Sequence, residues 1–283
     1  MSAIASKPAG GADMPTSALI IAIILLLVFV GAGYFLVMNG MIGMVGFEAL
    51  IGIIIGGVLI AFGVHFVPVG GAPAAMGQAP GIATGVAMLA AGAGLAGVFG
   101  GAWAAPLGLW VALAAGAVGG GLLMAITCMM VNVTYVFAMG IPAASGKVAK
   151  DPITGDSQAE YKSQGTEGHG LPFISYVGGV IGGVLGGLGG TLIYMQLLAV
   201  YESALPAMMN ASVDQIMPVA VSMAGIFAIG MFLVNAVLTA YNITGTIEGP
   251  HDPKFKRFPR AVVASAVASA LCGLLAILIV VPL

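Results

Sequence analysis

Residues 178–190 read GGVIGGVLGGLGG, a run of small residues inside a long apolar stretch. Its glycines form two rows with a spacing of four residues: Gly178, Gly182, Gly186 and Gly190, and beside them Gly179, Gly183 and Gly187. On a membrane helix, rows of this kind let a neighbouring backbone approach closely, as in GxxxG contacts. The stretch therefore predicts a transmembrane helix inside a bundle, with Gly182 and Gly186 against another helix. A substrate path along the bare backbone is the alternative interpretation.

The rest of the chain has a membrane composition. Of its 283 residues, 60% are hydrophobic, 6% are charged and 45 are glycine, whereas soluble domains are about 25% charged. Runs of about 20 apolar residues match a hydrocarbon core of about 30 Å. The sequence predicts an all-α polytopic transmembrane bundle with about seven spans: 17–39, 47–66, 82–101, 107–138, 171–200, 214–240 and 260–282. Residues 1–46 form a tail and an extra helix, and residues 47–283 form the polytopic domain.

All eight Lys and Arg residues fall on one side of such a bundle. They are Lys7 in the tail, Lys147, Lys150 and Lys162 in one connector, and Lys254, Lys256, Arg257 and Arg260 in another. The connectors near 40–46, 102–106 and 201–213 contain no Lys or Arg. Because cytoplasmic loops are enriched in these residues, we expect cytoplasmic loops near 67–81, 140–170 and 241–259. The N-terminus is then cytoplasmic and the C-terminus extracytoplasmic.

Each of three consecutive hairpins has one histidine at its cytoplasmic turn. GTEGHG (165–170) and GTIEGPH (245–251) are similar segments, and a third histidine ends the second span. We expect these turns to form one polar mouth for an ion, an anionic substrate or a docking protein: His65, Glu167, His169, Glu248 and His251. A loop that only satisfies its own backbone is the alternative. The basic segment 251–257 suits anionic lipid headgroups or a partner's acidic surface.

Few polar groups lie within the spans. Asn132 and Asn235 lie within spans, with Thr134 and Tyr135 beside the first and Thr239 beside the second. Uncharged oxygens of this kind suit Na⁺, a hard cation, and Asn132, Asn235 and Thr134 form the candidate sodium path. Hydrogen bonding between helices is the alternative. The sequence lacks a phosphate-binding loop, a Cys/His metal cluster and a recognisable Ser-His-Asp pattern. No self-contained catalytic centre and no nucleic-acid partner are expected.

Four stretches resemble one family: GVHFVPVGGAPAAM (63–76), VAKDPITG (148–155), GTEGHGLP (165–172) and YNITGTIEGPHDPKFKR (241–257). The family is the D subunit of the membrane-bound tetrahydromethanopterin S-methyltransferase of methanogenic archaea. The similarity extends over about residues 47–283, whereas the first 46 residues depart from the shorter family pattern. It implies a complex that passes a methyl group from methyl-tetrahydromethanopterin, through a corrinoid, to coenzyme M while exporting Na⁺.

The resemblance also implies the partners. The corrinoid (cobamide) is carried by the A subunit of that complex, and the C and E subunits accompany this chain in the bilayer. We expect this chain to bind no cofactor alone and to contribute to the sodium path and the docking face. A purely structural scaffold and a stand-alone secondary transporter are the two other interpretations, and the scarcity of charge within the spans disfavours the transporter.

The charge pattern makes a testable prediction of topology. Single cysteines at Lys150 and Lys254 should be protected from an impermeant thiol reagent in intact cells, whereas a cysteine after Leu283 should react. Permeabilised cells are the control, because every exposed position should then be labelled. Labelling of position 150 or 254 in intact cells would refute the topology.

Overall fold

The computed structural model describes residues 15–67, 92–133, 137, 144–145, 168–169, 173–243 and 258–281. Within these ranges it contains seven α-helices: α1 (Thr16–Met38), α2 (Met44–Phe66), α3 (92–104), α4 (Leu109–Asn132), α5 (Phe173–Met209), α6 (Val213–Ile243) and α7 (Phe258–Leu278). A 3₁₀ turn, Ala105–Leu107, joins α3 to α4. Two-residue strands β1 (Ala144–Ser145) and β2 (Gly168–His169) pair antiparallel. Six of the described helices, all except α3, are long and apolar enough to cross a membrane. The predicted all-α polytopic bundle is confirmed.

Helix α5 lies between α2 and α4, and it touches both through backbone. A Cβ atom on Gly182 would lie 2.5 Å from the Gly63 carbonyl oxygen of α2. On the opposite row, a Cβ atom on Gly183 or Gly187 would collide with the carbonyl oxygen of Gly120 or Gly116 in α4. The two glycine rows therefore serve two different neighbours, and the predicted close packing of α5 is confirmed.

The first glycine row does not remain on one neighbour along its whole length. Gly186 lies against Gly63 of α2, and its missing Cβ would be 3.4 Å from the Phe232 ring of α6. Gly190 faces Val98 of α3 and the same Phe232 ring. Because four residues turn an α-helix by about 400°, each step along the row rotates it by about 40°. A straight row in the sequence is thus a curved row in space.

Contacts along the helices also fix their directions. Tyr34 of α1 meets Phe47 of α2 with ring centroids 5.7 Å apart, which makes these helices an antiparallel pair. The Gly63–Gly182 contact near one end of α2 and the Gly52–Gln196 contact near the other make α2 and α5 antiparallel. The remaining contacts extend this alternation through all seven helices.

The alternation separates the charged residues of the described helices. One end of the bundle holds six helix ends: Thr16, Phe66, Asn132, Phe173, Ile243 and Phe258. Every connector that contains Lys or Arg begins and ends beside residues of this group. We call this the basic end. Arg260 lies in the first turn of α7 at this end, whereas Glu48, Glu202 and Asp214 lie towards the opposite, acidic end.

The boundary prediction for the fifth span is wrong by nine residues, because α5 continues to Met209 instead of ending at residue 200. The predicted connector 201–213 is mostly helix. Tyr201 is fully buried and donates a hydrogen bond to the Ala276 carbonyl (3.0 Å), so the extension packs on α7 despite Pro206. Asn210, with φ 49°, ends it in the left-handed conformation typical after a helix. Helix α7, in contrast, ends at Leu278, before the predicted residue 282.

The glycine contacts predict a position-dependent response to alanine. Gly183→Ala should destabilise the protein by about 1–3 kcal/mol, because its methyl group has no room beside Gly120 and Met124. The matched control is Gly225→Ala in α6, where no atom lies within 4 Å of the added methyl group. Thermal unfolding in mild detergent measures both. Equal unfolding temperatures for the two variants would contradict this packing.

Candidate functional site

Five buried polar side chains lie on α2, α6 and α7, three helices that contact one another. We call this group the polar seam: His65 from α2, Asn235 and Thr239 from α6, and Ser265 and Ser269 from α7. Each is at most 1% exposed. A polar group enclosed in a membrane bundle is costly unless it is hydrogen-bonded, so the partner of each group decides what the seam is able to bind.

Asn235 and Ser269 form the central level of the seam. The Asn235 Nδ2 atom donates to the Met231 carbonyl and to Ser269 Oγ, each at 2.9 Å. The Ser269 hydroxyl also lies 3.3 Å from Asn235 Oδ1. Gly57 of α2 makes room for the pair, since a Cβ atom there would collide with Ser269 Oγ and lie 3.0 Å from Asn235 Nδ2. This pair therefore links α6 to α7 in the space that the missing side chain of Gly57 leaves beside α2.

Thr239 and Ser265 form the next level, one helical turn closer to the basic end. Thr239 follows Asn235 by four residues and Ser265 precedes Ser269 by four, so in antiparallel helices both shift by about 6 Å in the same direction. Both side chains are fully buried. Neither hydroxyl has a hydrogen-bond partner within the described part of the chain.

Other hydroxyl groups in the bundle behave differently. Thr127 donates to the Leu123 carbonyl (2.8 Å) and Ser222 donates to the Pro218 carbonyl (2.7 Å), each four residues back in its own helix. This local bond is the usual way for a helix to satisfy a hydroxyl. Thr239 and Ser265 do not use it.

His65 closes the seam towards the basic end. Its Nδ1 atom lies 2.7 Å from the Ala61 carbonyl. Because a carbonyl oxygen only accepts, Nδ1 carries the proton in this contact. The edge of the ring packs against Phe258 of α7, with centroids 4.9 Å apart, and Phe258 packs on Phe62 at 4.1 Å.

Apart from His65, the side chains of the seam are amide and hydroxyl groups, which carry no charge. The charged residues of the described helices, Glu48, Glu202, Asp214 and Arg260, are exposed or half-buried and lie away from the seam. Within the described ranges no three His, Cys, Asp or Glu residues come together as a metal-binding group. The seam presents hydroxyl and amide oxygens, which suit a monovalent cation or water.

The structure brings together only part of the predicted site. Asn235 lies in the seam, whereas Asn132 is the last residue of α4 and Thr134 lies outside the described residues. His65 is fully buried. His169 pairs with Ala144 in the two-residue strands. The remaining residues of the predicted mouth, Glu167, Glu248 and His251, lie outside the described residues. The mouth remains a prediction.

Ser265 and Ser269 were not predicted from the sequence. A signal was present, because Asn235 and Thr239 share the four-residue spacing of Ser265 and Ser269, and each pair forms one stripe on its helix. Pairing these stripes required the knowledge that α6 and α7 are neighbours.

Together these observations define a multi-pass membrane protein: a glycine-packed helical bundle with an uncharged polar seam. The chain belongs to the D-subunit family of tetrahydromethanopterin S-methyltransferase, whose sequence profile matches residues 46–269. It is thus one component of a multi-subunit methyltransferase.

Individual relatives are named as D subunits of the same methyltransferase. The D subunit of the Methanosarcina barkeri enzyme is 50% identical over 227 residues, which cover 80% of this chain and 91% of the relative. The Methanothermobacter marburgensis protein is 51% identical, covering 80% and 93%. The Methanocaldococcus jannaschii protein is 43% identical, covering 82% and 96%.

Helix α1 lies outside the family match, and it packs through Gly33 against Leu50 of α2 and Leu274 of α7.

The central pair of the seam predicts energetic coupling. In a double-mutant cycle, Asn235→Ala and Ser269→Ala should be non-additive by about 0.5–2 kcal/mol, the range of hydrogen bonds between membrane helices. The control cycle combines Asn235→Ala with Ser222→Ala, because the Ser222 hydroxyl bonds within α6 and is exposed. Unfolding of the purified protein measures both cycles. Additive effects in the first cycle would show that the pair is not coupled.

Proposed function

We propose that this chain serves a complex that transfers a methyl group from methyl-tetrahydromethanopterin, through a corrinoid, to coenzyme M and couples the transfer to Na⁺ export. Family membership supports the reaction, because the relatives are named as subunits of this methyltransferase. The single observation that supports a role in ion passage is the polar seam, a buried row of oxygens within otherwise apolar helices.

In this proposal the methyl-transfer chemistry belongs to the partners. The corrinoid is carried by the A subunit, and the C and E subunits complete the membrane part. This chain contributes helices and loops.

The basic end is the proposed docking face and faces the cytoplasm. The six helix ends named above lie there, next to the connectors with Lys and Arg, and positive residues are enriched in cytoplasmic loops. The mouth residues Glu167, His169, Glu248 and His251 belong to the same connectors. A soluble, corrinoid-bearing partner approaching from the cytoplasm would meet this end first.

Depth and chemistry make the seam suitable for an ion path. Asn235 precedes the end of α6 by eight residues, or about 12 Å, within a hydrocarbon core of about 30 Å. Amide and hydroxyl oxygens bind a hard monovalent cation without placing a fixed negative charge in the membrane, which is costly. A carboxylate needed for transport would then come from a partner chain.

A scaffold is the second candidate function. It is favoured by the close glycine packing of α5 on α2 and α4, which by itself requires no transport role. The Na⁺ dependence of methyl transfer in variants of this chain distinguishes the two functions.

We expect Asn235→Ala, Asn132→Ala and Glu167→Gln complexes to lose methyl transfer to coenzyme M or to need more Na⁺ for half-maximal rate. Each substitution removes an oxygen or a charge from the proposed path or mouth. Thr127→Val is the control, because its hydroxyl bonds only within α4. The rate is measured against Na⁺ concentration in complexes of normal subunit composition. Wild-type rates and Na⁺ dependence in all three variants would establish the scaffold instead.

A further inference from the structure

We propose that the hydroxyl oxygens of Thr239 and Ser265 are ligands of a single bound monovalent cation at the α2–α6–α7 interface. This inference deepens the proposed function and rests on it for the identity of the ion as Na⁺. The position of the site rests on the geometry of the seam. It lies one turn from the Asn235–Ser269 pair, towards the basic end.

The hydroxyl groups of Thr239 and Ser265 have unused hydrogen-bonding capacity. Both side chains are fully buried and both hydroxyls lack a partner within the described residues. Buried polar groups are almost always satisfied, and a bound ion or water is one explanation for a buried group without a partner. Thr127 and Ser222 show that the local carbonyl bond forms elsewhere in this bundle. Two orphan hydroxyls on facing helices at one level therefore indicate a shared ligand between them.

The composition of the site selects the ion. Thr239 and Ser265 supply two neutral oxygens, and Asn235 Oδ1, which lies 3.3 Å from Ser269 Oγ, supplies a third one turn away. Calcium and magnesium sites are built around carboxylates, and the charged side chains of the described helices lie elsewhere. A neutral oxygen set favours a single positive charge.

The site is closed on both sides. Towards the acidic end, the Asn235–Ser269 pair fills the space beside Gly57. Towards the basic end, the rings of His65, Phe258 and Phe62 pack on one another. A cation between these closures is shielded from water on either side. In our proposal, rotation of the Asn235 amide away from Ser269 opens the acidic side, and movement of Phe258 opens the basic side.

A buried water is the competing occupant. It would satisfy the same hydroxyls, but it would respond to neither the identity nor the concentration of the cation. Thermal stability of the purified complex in NaCl and in choline chloride at equal ionic strength distinguishes the two, because a ligand that binds only the folded state raises the unfolding temperature.

The test uses Thr239→Val and Ser265→Ala, which remove the hydroxyls with little change in shape. In choline chloride they should unfold at or above the wild-type temperature, because each removes an unsatisfied buried group. In NaCl they should lose the Na⁺-dependent increase, with the half-saturating Na⁺ concentration raised about tenfold or more. Thr239→Ser keeps the hydroxyl and should restore the increase. Ser222→Ala and Thr127→Val should behave as wild type.

Two results would overturn the site. One is an unchanged Na⁺-dependent increase in both variants, and the other is a loss of stability of equal size in NaCl and choline chloride, which identifies a bound water only. If Thr239→Val does not assemble, Ser265→Ala and Thr239→Ser still decide between these outcomes. Methyl-transfer assays separate this result from the proposed function. If both variants keep the Na⁺-dependent increase in unfolding temperature and methyl transfer depends on Na⁺, only the site is refuted. If methyl transfer by the wild-type complex does not depend on Na⁺, the proposed function is refuted.

Discussion

The structure depends on the close approach of the α5 backbone to α2 and α4. Glycine rows on opposite sides of α5 meet glycine carbonyls of both neighbours, and even one methyl group at Gly183 has no room. In a membrane the hydrophobic effect does not drive helices together, so van der Waals packing of this kind determines which helices associate.

The polar seam follows from the same constraint. Gly56 and Gly57 are adjacent in α2 and face different neighbours: Gly56 approaches Gly189 of α5, and Gly57 approaches Asn235 and Ser269. One glycine pair thus binds α2 to the central helix and also leaves the space in which α6 and α7 exchange hydrogen bonds. Packing and polar chemistry are coupled at this point, because a shift of α2 on α5 would also change the space above Asn235.

The chemistry of the seam suits a protein that works beside catalytic partners. Its oxygens are neutral and fully enclosed, and the fixed charges of the described helices lie near the two ends of the bundle. In the proposed function, this chain holds or passes a cation while its partners carry out the methyl transfer. In the proposed function, the energy of methyl transfer reaches the seam through the basic end, where the polar connectors meet the other subunits.

The sequence alone determined the helical class, most of the spans, the glycine rows and the segregation of Lys and Arg, because each of these is a property of composition or of spacing along one helix. It also singled out Asn235. Only the tertiary structure showed that α5 extends past Pro206, that its glycine rows serve different neighbours, and that Thr239 and Ser265 are buried without partners among the described residues. The physical reason is that helix rotation and neighbour choice are set by packing between segments far apart in the chain. A hydroxyl is recognised as unsatisfied only when every group around it is known.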